Sequence, residues 1–152
     1  MAKHPGEVEV ALWFHDAVYD VKSQDNELQS ALWAKQALLK CGISDEVAER
    51  IYALVLATDH SLPPRSADAQ LLVDIDLSIL GASPERFEQY EVQVRQEYEW
   101  VPRSQYSDKR QAILQGFLNR PFIFSTEQFR NQFESQAREN LQRSILRLAS
   151  LH

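Results

Sequence analysis

The amino-acid sequence predicts an all-α protein, a bundle of about six to seven helices. Apolar side chains recur every three to four residues along most of the chain and rarely alternate, which favours helices over strands. Glycine occurs only four times in 152 residues, and short stretches rich in proline or polar residues separate the periodic segments. A chain of this length is expected to form one domain over residues 1–152, with a core that needs no disulfide bond.

The first two helices are predicted over residues 7–19 and 26–40. In the first, Ala11 and His15 belong to one stripe at helical spacing. Gly42 is expected to end the second helix, because glycine readily adopts the left-handed conformation that follows a helix. The side chains expected to face inward from the second helix are Leu28, Ala31, Leu32, Lys35, Leu38 and Leu39.

The third and fourth helices are marked by capping and stop signals. Ser44 is a good N-cap, and acidic residues follow it in the first turn, where they interact favourably with the helix dipole. Pro63 and the proline after it end any helix that reaches them. The fourth helix is predicted over residues 67–80, with Gly81 as its C-terminal stop.

The fifth helix is predicted to start at Ser83-Pro84, an N-cap followed by proline at the first helical position, and to stop before Pro102. The sixth helix is predicted over residues 108–119. The last is predicted over residues 126–148, after a sequence that resembles a capping box.

Charge and cysteine content narrow the functional classes. The net charge of −6 argues against binding to nucleic-acid polymers or anionic membranes, but it allows a small phosphorylated substrate in a local basic pocket. Cys41 is the one cysteine, so no intramolecular disulfide can form, which fits a reducing cytoplasm. No apolar run approaches the roughly 20 residues that span a bilayer. A cytoplasmic protein is therefore expected.

The pair His15-Asp16 is the first candidate for chemistry. On a helix, its neighbours one turn away are mostly large apolar side chains. A buried carboxylate is costly unless it is paired or bound to a metal, and an imidazole beside a carboxylate suits a divalent ion. The alternative is a His-Asp pair satisfied by local hydrogen bonds.

Asp74 and Asp76 lie together in the apolar run of the fourth helix. The neighbours of Asp76 at helical spacing are all apolar, whereas those of Asp74 are mixed. Asp76 is therefore predicted to point into the core and to need a cation or several hydrogen-bond donors. Asp74 is predicted to face solvent or to support the site from outside. Bonding of Asp76 to serine or backbone groups remains the alternative.

His60 follows the third helix, where it could overhang a site formed by the first and fourth helices. It could equally be a cation that interacts favourably with a helix C-terminus. The sequence has no His-Glu-x-x-His motif, no cysteine pairs, no glycine-rich phosphate loop and no Gly-x-Ser-x-Gly elbow.

Several blocks of the sequence together resemble a known family. They are Ala11-Leu12-Trp13-Phe14-His15-Asp16-Ala17-Val18-Tyr19-Asp20, Asn26-Glu27-x-x-Ser30-Ala31, Ala57-Thr58-x-His60, Asp74-x-Asp76-Leu77-x-Ile79-Leu80-Gly81, Val94-Arg95-x-Glu97-Tyr98, Phe117-Leu118-x-Arg120 and Ala137-Arg138-x-Asn140-Leu141. In this order they resemble a bacterial branch of the HD superfamily, the predicted metal-dependent phosphohydrolases. The resemblance implies an all-α fold with a metal site built from a histidine, the pair His15-Asp16 and a later aspartate, here Asp76.

The chain departs from that family in one respect. The family has an upstream helix that supplies the first metal-ligating histidine, and the only earlier histidine here is His4, beside Pro5. The resemblance therefore predicts an N-terminally truncated domain with an incomplete metal site. It also predicts apolar surface on the first helix that favours a homodimer.

The function expected from the residues and the resemblance is metal-assisted hydrolysis of a small phosphoester, with a nucleotide as one substrate type. His15, Asp16 and Asp76 would hold Mn²⁺, Mg²⁺, Fe²⁺, Zn²⁺ or Ni²⁺, which the sequence does not distinguish. His60 and Glu27 are candidate catalytic groups. Arg95 and Arg138 are candidate phosphate ligands, as is Arg120, although helical arginines are commonly solvated or paired.

Two alternatives differ in class from a phosphohydrolase. One is a helical binding or regulatory module without catalysis, which the missing upstream histidine favours. The other is an oxygenase with two redox-active iron ions.

Overall fold

The computed structural model describes residues 1–151 and confirms the all-α prediction, with seven helices and no strand in that part of the chain. The helices are α1 (Pro5–Phe14), α2 (Asn26–Lys40), α3 (Asp45–Leu56), α4 (Ala67–Leu77), α5 (Pro84–Glu97), α6 (Arg103–Leu118) and α7, in which Glu127–Phe129 and Ser135–Ala149 are α-helical and Arg130–Glu134 is π-helical. Short 3₁₀ turns, Ala57–Asp59 and Ser78–Gly81, follow α3 and α4. None of the helices within residues 1–151 combines the length and the apolar character needed to cross a membrane.

The chain divides into two compact units, Met1–Asp76 and Leu77–His152. The single domain expected over residues 1–152 stays a prediction.

The core of the first unit is formed where α1, α2 and α3 pack together. Ala31 and Ala34 of α2 and Ala11 of α1 are completely buried, and such small side chains let helices approach closely. Leu28, Leu32 and Leu39 were predicted to face inward, but they are 40%, 37% and 37% exposed. The buried face of α2 is thus centred on its alanines, because close helix approach leaves no room there for leucine.

The end of α1 differs from its prediction over residues 7–19. The helix stops at Phe14, His15 is its C-cap, and Asp16 lies in the following turn. The next residues leave the helix because a side chain of α2 pairs with their backbone. The buried Ser30 hydroxyl accepts a hydrogen bond from the Val18 N–H and donates one to the Val18 carbonyl, at 3.0 and 3.1 Å. These tertiary hydrogen bonds replace the helical ones.

The core of the second unit surrounds Phe124, Leu114 and Leu141, all completely buried. The buried Asn140 side chain donates to the carbonyls of Leu80 and Ala82, at 2.9 and 2.8 Å, which joins α7 to the turn after α4. Asparagine suits this position because one amide group can satisfy two buried carbonyls at once.

The start of α6 was predicted at residue 108, but the helix begins at Arg103, directly after Pro102. Its first turns are polar in sequence, so nothing local marks them as packed. The hydroxyl of Ser107 is nevertheless buried and donates to the Leu148 carbonyl at 2.9 Å. Packing against α7 therefore extends the helix beyond its apolar stripe.

Arg110 and Glu91 form a buried ion pair in the second unit. The guanidinium of Arg110 binds the Glu91 carboxylate, and the Ser144 hydroxyl also donates to that carboxylate, at 3.1 Å. The two charged side chains are only 10% and 13% exposed. We expect Glu91→Gln to lower the free energy of unfolding in urea by about 3 kcal/mol, because it leaves the Arg110 charge buried and unbalanced.

The matched control for Glu91→Gln is Glu88→Gln, one turn earlier on α5. It removes the exposed ion pair between Glu88 and Arg147 of α7. This control should change stability little, since solvent screens that pair. Equal effects of the two substitutions would contradict the assignment of the Glu91 pair as a buried one.

Candidate functional site

Four of the side chains singled out by the sequence come together in the first unit: His15, Asp16, His60 and Asp76. The Nε2 atom of His15 lies 3.4 Å from Asp76 Oδ1 and 3.3 Å from Asp16 Oδ2. The Nε2 atom of His60 lies 2.8 Å from Asp76 Oδ2. Each carboxylate oxygen of Asp76 therefore faces one imidazole, and Asp76 is the centre of what we call the His-Asp cluster.

The ring orientation of His15 follows from the end of α1. Its Nδ1 is 2.5 Å from the Leu12 carbonyl one turn back, and because a carbonyl can only accept, Nδ1 carries the proton. Nε2 is consequently the ring atom that faces the two carboxylates. A backbone hydrogen bond of this kind also sets the tautomer of metal-binding histidines.

His60 is directed at Asp76 by an unusual backbone conformation. It caps the 3₁₀ turn Ala57–Asp59 with φ 58° and ψ 15°, and it is the one non-glycine residue with positive φ within residues 1–151. The Asp59 carboxylate fixes the next residue by accepting hydrogen bonds from the Ser61 amide and hydroxyl, at 2.8 and 2.7 Å. A left-handed conformation costs a non-glycine residue free energy, and such strain is commonly retained at functional sites.

The burial of the two α4 carboxylates is the reverse of the prediction. Asp74 was expected to face solvent, yet it is completely buried. Asp76 was expected to point into the core, yet its side chain is 24% exposed and bonded to the histidines. The identity of the aspartate beside His15 agrees with the prediction, but the reason given for it was wrong. The helical neighbours of Asp74 and Asp76 all lie on α4, whereas burial depends on every element packed around that helix.

The charges of the cluster shift its pKa values. The hydrogen bond to Asp76 raises the pKa of His15 to about 9, against the opposing effect of burial. Burial by itself would raise the pKa of Asp76, but hydrogen bonds from His15 and His60 outweigh it and lower that pKa to about 2. In the absence of a metal ion, the His15 imidazolium and the Asp76 carboxylate therefore attract each other at neutral pH.

These shifts predict how the stability of the metal-free protein depends on pH. The raised pKa of His15 stabilises the fold fully below its ordinary value of 6.5, and this stabilisation is lost as pH rises toward 9. The lowered pKa of Asp76 stabilises the fold above 3.8, and this stabilisation is lost as pH falls toward 2. We expect the stability contributed by the cluster, measured as the difference in unfolding free energy from Asp76→Asn in EDTA, to be greatest between pH 3.8 and 6.5. A difference that grows between pH 6.5 and 9 would contradict the pairing.

The remaining predicted site residues lie elsewhere. Glu27 is half-buried in the first turn of α2, and in the part of the chain that the structure describes no hydrogen bond or ion pair joins it to the cluster. Arg95, Arg120 and Arg138 belong to the second unit. Arg138 donates to Glu134 and to backbone carbonyls, including that of Leu118 at 3.1 Å. These bonds give Arg138 a structural role within its unit.

The side chains of the cluster are of the types that bind divalent metal ions. Two imidazole nitrogens and two carboxylates are common ligands of transition-metal ions. The distances of 2.8–3.4 Å between the imidazole nitrogens and the carboxylate oxygens are those of hydrogen bonds and ion pairs. As the side chains stand in residues 1–151, no group of three or more His, Cys, Asp or Glu is arranged to hold an ion.

The structural role of Ser30 was not predicted from the sequence. Ser30 fixes the loop that follows Asp16, and the sequence signal for this was a lone hydroxyl on the alanine-lined face of α2.

Comparison of the chain with protein-family models, with curated proteins and with solved structures finds no match.

Proposed function

We propose that the protein is a metal-dependent phosphohydrolase acting on a small phosphorylated substrate. The observation that carries this proposal is the convergence of His15, Asp16, His60 and Asp76, from three separate segments of the chain, on one partly exposed point of the first unit. The resemblance of the sequence to the HD superfamily also supports a metal-dependent phosphohydrolase.

In the proposed enzyme, the residues of the cluster would have different roles in binding the metal ion and orienting its ligands. His15, through Nε2, and the carboxylates of Asp16 and Asp76 would hold the ion, and the hydrogen bond to Leu12 keeps the His15 ring in the required orientation. A divalent ion bound there supplies Lewis acidity and lowers the pKa of water for attack on phosphorus. His60 would donate its Nε2 proton to Asp76 Oδ2, 2.8 Å away, and so orient that carboxylate beside the ion. Asp16, 73% exposed, lies on the side open to solvent.

Other properties of the proposed enzyme remain expectations. A cytoplasmic location is expected from the single exposed cysteine, Cys41. A homodimer is expected from the apolar surface of α1 and α2, where Trp13 and Trp33 are 80% and 50% exposed. The role of Glu27 as a general base has no contact with the cluster to support it.

The test uses the purified full chain, stripped of metal with EDTA and then titrated with Mn²⁺, Zn²⁺ and Mg²⁺ by calorimetry. Phosphate release is then measured on a panel of nucleotides and sugar phosphates. We expect binding of one or two ions per chain and metal-dependent release that His15→Gln abolishes. His4→Gln is the matched control, since His4 pairs with Asp68 away from the cluster. Absence of both binding and turnover would overturn the proposal and favour a non-catalytic binding module.

A further inference from the structure

A cleft in the second unit lies among α5, α6 and α7. Its volume is about 490 Å³, within the range of roughly 300–1,000 Å³ that is typical of small-molecule sites. Most of its wall is apolar. The buried residues Ser107 and Leu148 form its base, and Val92 and Leu151, 57% and 44% exposed, lie at its rim.

Two carboxylates line this cleft, and each is already matched by a guanidinium. Glu91 binds Arg110, and Glu88 binds Arg147 at 2.6 Å. Their negative charges are therefore balanced within the protein, and neither needs a cation from solution.

Two further guanidiniums line the cleft with no carboxylate within 4.0 Å in the described part of the chain. Arg95 donates to the carbonyls of Tyr98 and Val101, at 2.7 and 3.2 Å, and lies 4.7 Å from the centre of the Tyr106 ring. Arg103 is the exposed first residue of α6, and its side chain makes no hydrogen bond or ion pair within residues 1–151. Among the described residues, the cleft thus combines an apolar wall with a surplus of positive charge.

We propose that this cleft binds a small amphipathic anion. The anionic head lies at Arg103, with the charge of Arg95 behind it, and the apolar body lies over Val92, Leu148 and Leu151. Guanidinium binds carboxylate and phosphate oxygens with charge-assisted hydrogen bonds, so an organic carboxylate and an alkyl phosphate share the required chemistry. The site involves none of the metal-binding side chains and stands independently of the proposed hydrolysis.

The experiment is calorimetric titration of the full chain in EDTA with octanoate, hexyl phosphate and the uncharged 1-octanol. We expect saturable binding of one octanoate or hexyl phosphate per chain, tighter than that of octanol. Arg103→Gln should weaken binding of the anions roughly three- to tenfold and leave octanol unchanged. Val92→Asp should weaken all three ligands, because it places a charge at the apolar rim.

Lys109→Gln is the matched control, because Lys109 is an exposed cation on the same helix but outside the cleft. It should leave the affinity for octanoate unchanged. Equal weakening by Lys109→Gln and Arg103→Gln, octanol binding as tight as octanoate, or no saturable binding of either anion would overturn the proposal. Which anion binds more tightly distinguishes a carboxylate ligand from a phosphate one.

Discussion

Asp76→Asn is expected to weaken metal binding more than about 100-fold and to abolish metal-dependent phosphate release. Replacing groups that merely support a metal ligand costs about 10- to 100-fold, and Asp76 would itself be a ligand. Both of its oxygens face histidine Nε2 atoms, so a neutral amide changes the partner of two rings at once. Calorimetric titration with Mn²⁺ and a phosphate-release assay measure the two effects.

The same substitution has a readout that requires no metal. Because the hydrogen bond to Asp76 is the main cause of the raised pKa of His15, Asp76→Asn should bring that pKa down from about 9 toward its ordinary value. An NMR titration of the His15 ring protons in EDTA measures this shift. A lowered pKa without any metal binding in the wild type would support the cluster and refute the hydrolase.

The matched control for Asp76→Asn is Asp74→Asn, two residues earlier on α4. Asp74 is completely buried, so its replacement is expected to affect stability while leaving the pKa of His15 near 9. A comparable fall of that pKa in Asp74→Asn, or none in Asp76→Asn, would contradict the assignment of Asp76 as the partner of His15.

The features that could be predicted from the sequence are those decided by local interactions. The Ser44 and Ser83 side chains accept hydrogen bonds from backbone amides three residues later, as N-cap serines do, and the bounds of α2 agree with the prediction. The membership of the His-Asp cluster could also be predicted, since histidine and aspartate in apolar segments need each other or a cation.

The features that could not be predicted depend on residues distant in sequence. The end of α1 is decided by Ser30 of α2, and the early start of α6 by the contact of Ser107 with α7. The burial of Asp74 likewise depends on what surrounds α4. The π-helical segment Arg130–Glu134 interrupts a helix predicted as continuous over residues 126–148. The residues within one segment do not indicate which distant residues they will contact in the folded protein.

Gly81→Ala is expected to be among the most destabilising single substitutions in the second unit. A Cβ atom on Gly81 would lie 2.6 Å from Phe133 Cβ and 2.8 Å from the Phe133 carbonyl oxygen. Gly81 was predicted as a helix stop, but its φ is not positive, so the position requires glycine for space alone. Phe133 cannot move away easily, because its ring packs against those of Phe124 and Phe129, with centroids 5.9 and 5.4 Å apart.

Overpacking of this kind typically costs about 1–3 kcal/mol, and we expect Gly81→Ala to lie at the upper end, near 3 kcal/mol, because backbone atoms are among those that collide. For a chain of this size, that loss lowers Tm by roughly 6–12 °C in a thermal unfolding scan. The matched control is Gly116→Ala in α6, where an added Cβ would meet nothing within 4 Å. This control should raise stability by about 0.5–1 kcal/mol, since alanine is the better helix former. A neutral Gly81→Ala would show that the turn after α4 and the π-helical segment of α7 do not approach as closely as the structure places them.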